Sequence, residues 1–121
     1  MNTKEQRYLD FVADKIFFIN VLTSLGIEKS YTGFYFLVEI LDKLINQSVD
    51  TRCFSKDIYP KVALKFNKSD CVIERDIRSL IDKCWSEEMR IKLSSSWEEN
   101  KTPSCIKFVL MLKSYIINLI N

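Results

Sequence analysis

The chain has 121 residues, 47% of them hydrophobic, with only two Gly, two Pro and no His. That is enough apolar material for one domain with a core, and it excludes a disordered chain and a barrel or sandwich built on many tight turns. A net charge of +2 also excludes a protein that coats nucleic acid through bulk charge; a nucleic-acid partner would need a local basic face.

The first predicted element is an N-terminal helix within residues 1–25. Its apolar stripe is Tyr8, Phe11, Val12, Ile16, Ile19 and Leu22, at the spacing of one helix face. Gly26 ends it, because Gly accepts the left-handed conformation of a helix C-terminus. A second helix starts near Ser30 or Thr32, buries Phe34, Leu37, Val38, Leu41, Leu44 and Ile45, and ends near Asn46. Residues 47–58 show no clear pattern. Pro60 suits the first turn of a short third helix, since its missing N–H is no loss there. Val62, Ala63 and Phe66 form that helix's apolar face, and Asn67 is its left-handed stop.

The fourth helix, about 70–86, carries most information. Lys68 or Ser69 precedes it, with Ser69 the better cap, and Asp70 in the first turn favours the helix dipole. Ile73, Ile77, Leu80, Ile81 and Cys84 fall on one side; Glu74, Arg75, Arg78, Ser79 and Asp82 fall on the other. A short helix and a polar loop, Ser94-Ser95-Ser96, come next. Pro103 opens a last helix with Ile106, Val109, Leu110, Ile116, Ile117 and Ile120, apolar on more than one side. Such a surface is either deeply buried or meets another protein.

The fold expected is therefore all-α, a compact bundle of about six helices forming a single domain over 1–121. Cys53, Cys71, Cys84 and Cys105 are not spaced as C-x-x-C. They read as reduced and mostly small core residues rather than as a zinc site or a disulfide framework. No signal peptide is evident and no apolar run reaches about 18 residues, so a cytoplasmic chain without membrane spans is expected. The lack of His and of a glycine-rich phosphate loop argues against an enzyme, and no cofactor is expected.

Helix, turn at Asn67-Lys68-Ser69 and helix together read as a helix-turn-helix over residues 59–85. The second helix of such a motif enters the major groove of duplex DNA. Arg75 and Arg78 could donate to guanine O6 and N7, and Glu74 could accept from cytosine N4. Lys65, Lys68 and Ser69 surround the turn, where phosphates would pass. Glu74 and Arg78, four residues apart, also fit an ordinary surface ion pair.

Several segments carry a resemblance: Leu25-Gly26-Ile27; Gly33-Phe34-Tyr35-Phe36-Leu37 with Glu39-Ile40; Tyr59 through Asn67; Ile73-Glu74-Arg75-Asp76-Ile77-Arg78; Trp85-Ser86; Pro103 and Phe108. From about Gly26 to Ile116 the chain resembles the C-terminal effector domain of the master response regulator of sporulation initiation. The resemblance implies six helices around a central helix-turn-helix that reads a short G/C-containing promoter box. It implies base contacts made or supported by Glu74, Arg75 and Arg78, with Ser79 at the next exposed position. It implies phosphate contacts at Lys68, Ser69 and Ser104, and a contact between two copies on tandem sites through residues 103–120. RNA polymerase is a further implied partner.

The chain departs from that pattern. Ser79 stands where the family commonly has His, Val72 where it has Arg, and Asp76 where it has a small apolar residue. The stretch from Trp85 to Pro103 is several residues shorter, in the region the family uses to touch RNA polymerase. The segment before Gly26 reads as one helix, with no room for a receiver domain. A stand-alone regulator is expected on these grounds. The alternative is a protein-interaction module that pairs with a related full-length regulator without binding DNA.

Overall fold

The computed structural model describes residues 15–120 apart from 48, 51 and 53. The described residues contain six α-helices and one π-helical turn, joined by turns and loops, and no strand: α1 (15–24), α2 (Phe34–Ile45), the π turn Phe54–Ile58, α3 (Tyr59–Phe66), α4 (Asp70–Cys84), α5 (Glu87–Ser94) and α6 (Cys105–Ile120).

The inward face of α1 is Phe18, Val21 and Leu22, continued by Leu25 just past its end, a regular i, i+3, i+4, i+7 stripe. This corrects the expected stripe: Ile16 is 50% exposed and Ile19 only half-buried, while Tyr8, Phe11 and Val12 lie outside the described residues. The helix is apolar on two faces in this stretch, and the packing of Phe18 decides which one turns inward. A Schellman motif ends the helix at Gly26 (φ 94°). The Gly26 N–H donates to the Thr23 carbonyl and the Ile27 N–H to the Leu22 carbonyl, both at 3.0 Å.

α2 is the central helix and packs on α3, α4 and α6. It begins at Phe34, later than Ser30 or Thr32, because Gly33 turns the chain with φ 101° immediately before it. A Cβ on Gly33 would lie 2.8 Å from the Asp76 carbonyl oxygen, so the start of α2 rests against the backbone of α4. Burial reaches nearly all round α2 and takes in two carboxylates, Glu39 and Asp42. Both are satisfied, as buried charges must be. Asp42 accepts from Asn46 Nδ2 at 2.8 Å and Gln47 Nε2 at 3.2 Å. Glu39 pairs with Lys15 of α1 and, at 2.6 Å, with Lys65 of α3.

The π turn was not legible in the sequence. It places Phe54 and Ile58 in the core beneath α3, with Phe54 edge-on to Tyr59 at 5.6 Å between ring centres. α3 and α4 then pack on each other, and α6 closes the core against α2, α4 and α5. α6 starts at Cys105, two residues after Pro103, and buries Phe108, Val109, Leu112 and Ile116. Of the two uses its wide apolar surface allows, burial is not the one taken by Ile106 and Ile120, which are 40% and 59% exposed. The described cysteines divide: Cys105 is buried and Cys84 half-buried, but Cys71 is exposed in the first turn of α4 rather than in the core; Cys53 lies outside the described residues. Burial pushes the Cys84 thiol up to about 12.

Candidate nucleic-acid interface

Two local devices set the angle between α3 and α4. Asn67 takes the left-handed conformation (φ 55°, ψ 48°) and closes α3 as a second Schellman motif, its N–H and that of Lys68 reaching back to Leu64 and Ala63. Ser69 then caps α4, its Oγ accepting from the Val72 N–H at 3.3 Å. The Ser69 hydroxyl keeps its own proton, so capping leaves it able to donate to a phosphate oxygen.

α4 has the two faces that its periodicity implies. Ile73, Ile77, Leu80 and Ile81 are at most 1% exposed, whereas Glu74, Arg75, Arg78, Ser79 and Asp82 all face solvent. The side chains of Arg75 and Arg78 are 72% and 60% exposed. Arg78 Nη2 donates to Glu74 Oε1 at 3.1 Å, an exposed i, i+4 pair that holds the guanidinium over the helix surface at an energy of only about 0.3–0.5 kcal/mol. Arg75 Nε lies 3.4 Å from Asp76 Oδ1. Asp76 itself is 8% exposed and turned toward the interior, so its acid does not stand on the outer face. Val72 is half-buried beside the cap.

The cations around the turn differ. Lys68 is exposed. Lys65 is engaged in the ion cluster with Glu39 and Lys15, while its side chain remains 45% exposed. Burial draws the Glu39 carboxyl up, but hydrogen bonds from Lys15 and Lys65 outweigh it and hold the carboxyl below its ordinary value. Burial, again the largest influence, draws Lys15 below the ordinary ammonium range. It acts the same way on Lys65, where the hydrogen bond to Glu39 leads the opposing influences that win.

Ser104 caps α6 by accepting from the Lys107 N–H at 3.3 Å. The start of α6 is held beside α4, where the Cys105 thiol donates to the Glu74 carbonyl at 3.7 Å. Ser104 thus lines the same groove as Arg78, together with Lys101 and Lys107, two cations that sequence reasoning did not place. The only hint of them was the run of three lysines without an acid after residue 100. Among the described residues, no cluster of His, Cys, Asp and Glu could hold a metal ion, and no helix is long and apolar enough to cross a membrane.

Residues 18–116 match the family described as the sporulation initiation factor Spo0A C terminal. The chain belongs to that family. It is a family of DNA-binding regulatory domains from transcription control in sporulation, not a family of enzymes. The match runs from Phe18, the first buried residue described in α1, to Ile116, the last in α6, and so spans the core.

Proposed function

We propose that the chain is a stand-alone, sequence-specific transcription regulator that binds duplex DNA in the cytoplasm as a single domain. One observation carries the reading: Glu74, Arg75, Arg78 and Ser79 share the exposed face of a helix whose opposite face is anchored in the core. Arg75 and Arg78 read guanines, Glu74 reads a cytosine or orients Arg78, and Ser79 touches the neighbouring base. Lys68, Ser69 and Ser104 hold the phosphate backbone. Lys65 belongs to the same group, but it must loosen its tie to Glu39 before it can reach a phosphate.

Two copies on adjacent sites would meet through residues 103–120, where Ile106, Leu119 and Ile120 are exposed. The same apolar residues support a rival, a module that pairs with a related full-length regulator without touching DNA. RNA polymerase is a further partner of the family reading, with the shortened segment before Pro103 altering the surface offered to it.

Fluorescence titration of labelled duplexes at fixed salt tests the base-reading assignment. Arg78→Ala should lose about 1–3 kcal/mol on the preferred sequence and accept substitutions at one position. Parental affinity and preference in that variant would remove Arg78 from the interface. Capture of a related regulator by a chain without DNA affinity would favour the rival.

A further inference from the structure

Beside the outer face of α4 lies a groove of about 530 Å³, walled on the far side by the segment 97–107. Arg78 and Asp82 line it from α4, Trp97 and Lys101 from the loop, and Lys107 from the first turn of α6. Three cations therefore face one carboxylate in a space continuous with the base-reading surface. Lysines on an irregular loop make a seat only if something holds the loop, since ordering it costs conformational entropy.

That fastening is present. Arg90 on α5 is 7% exposed, although α5 has little other inward surface. Its Nη1 donates to the carbonyls of Ser95 and Trp97, both at 2.8 Å. Its Nε and Nη2 form a two-point bond with the Glu87 carboxylate, and Glu99 Oε1 lies 3.8 Å from Nη2. The pair with Glu87 lifts the Arg90 pKa further above its ordinary value and lowers that of Glu87. The planar fork is thus used at both ends, on Glu87 and on two loop carbonyls. The next link is Trp97, whose Nε1 donates to the Lys101 carbonyl at 2.7 Å while the Lys101 ammonium sits 5.9 Å from its ring centre. Asn100, left-handed at φ 61°, closes the turn between them. The Lys101 ammonium also lies 3.6 Å from Glu98, an exposed pair that a phosphate can displace.

We infer that Lys101 and Lys107 extend the phosphate contact of Ser104 across this groove, as its cations, with Arg90 the positioning residue that holds its outer wall. The inference rests on the reading that α4 binds duplex DNA, and names the strand that runs past Arg78 as the occupant. Charge selects that occupant: a polyanion gains from three cations, and phosphate contacts need no particular base.

The test measures affinity against salt, using a labelled random-sequence duplex and the best-bound duplex selected from that pool. Lys101→Ala and Lys107→Ala should each reduce the slope of log K on log salt by about 1, and weaken both duplexes alike. Base preference should not change, in contrast to Arg78→Ala. Arg90→Lys keeps the charge but cannot serve two carbonyls and a bidentate carboxylate. It should lower the slope as Lys101→Ala does, and the double variant should lose no more than either single. A parental slope in both lysine variants overturns the seat. A lowered melting temperature with an unchanged slope in Arg90→Lys reduces Arg90 to a structural residue and overturns its positioning role. If the parent chain binds neither duplex, the DNA reading itself fails and the seat falls with it, a result distinct from the other two.

Discussion

α4 and α6 are nearly the same length, 15 and 16 residues, and each buries five. Their anchoring is equivalent, but what remains outside differs. The outer face of α4 leaves Glu74, Arg75, Arg78, Ser79 and Asp82 in water and no large apolar side chain, whereas α6 leaves Ile106, Leu119 and Ile120 exposed beside Lys107, Ser114 and Asn118. A charged leftover suits the wet, anionic grooves of a nucleic acid, and an apolar one suits another apolar surface. The core stripe therefore says where a helix sits, and the opposite stripe says what the helix is for. Leu119 and Ile120 also lie beyond the family match, which stops at Ile116.

The sharpest way to break this comparison is to cut each face of α6. Phe108 is fully buried against Trp85, 6.1 Å between ring centres. Phe108→Ala should cost about 3–5 kcal/mol in urea unfolding, while Ile106→Ala should stay within about 0.5 kcal/mol. Equal losses would mean that the two faces are not distinct.

The two glycines sharpen how α4 is seated. Both have positive φ, but a Cβ on Gly33 would strike the backbone of Asp76, and one on Gly26 would meet nothing within 4 Å. Gly26→Ala should lose about 1–2 kcal/mol from the left-handed conformation alone. Gly33→Ala should lose on the order of 3 kcal/mol, because packed backbone must move as well. It should also weaken DNA binding at temperatures where it remains folded, since α4 shifts. Similar midpoints for the two variants would show that α2 does not brace α4.

The smallest expected effect is the pH dependence contributed by Glu39. It faces Lys15 from α1 and Lys65 from α3, with Asp42 adding negative charge near Lys65. Its carboxyl is held below the ordinary 4.5 in the folded chain. The stability it contributes is complete above that ordinary value and is lost as the pH falls through the folded one. Urea midpoints of Glu39→Gln should accordingly fall less steeply than the parent's below about pH 4.5. Parallel acid arms would show that the cluster contributes nothing to stability.

Local chemistry made much of α3 and α4 readable. Asn67 and Ser69 bound the turn through their own backbone and side-chain hydrogen bonds, and the Ile73, Ile77, Leu80, Ile81 spacing fixes the inward face of one helix without reference to any other. The family likeness was readable too, since its densest segments, Tyr59 through Asn67 and Ile73 through Arg78, lie close together in the chain. The choice of inward face in α1 was not readable, because Ile16 and Phe18 compete for the same core and only the neighbouring helices decide between them. Nor was the burial of Arg90, whose partners are two carbonyls of a loop that has no pattern of its own.

From its residues alone, then, this chain specified an all-helical fold, the cap and stop of its helix-turn-helix, and the side chains that stand on the outer face of α4, all of them consequences of hydrogen bonds and periodicities spanning a turn or two. Tertiary packing decided that Lys65 turns to Glu39, that Asp76 is drawn inward, and that Arg78, Lys101 and Lys107 share one groove. Lys65 and Glu39 stand 26 positions apart and Arg78 and Lys107 stand 29 apart, on different elements, where burial and charge pairing among neighbours in space outweigh any local preference.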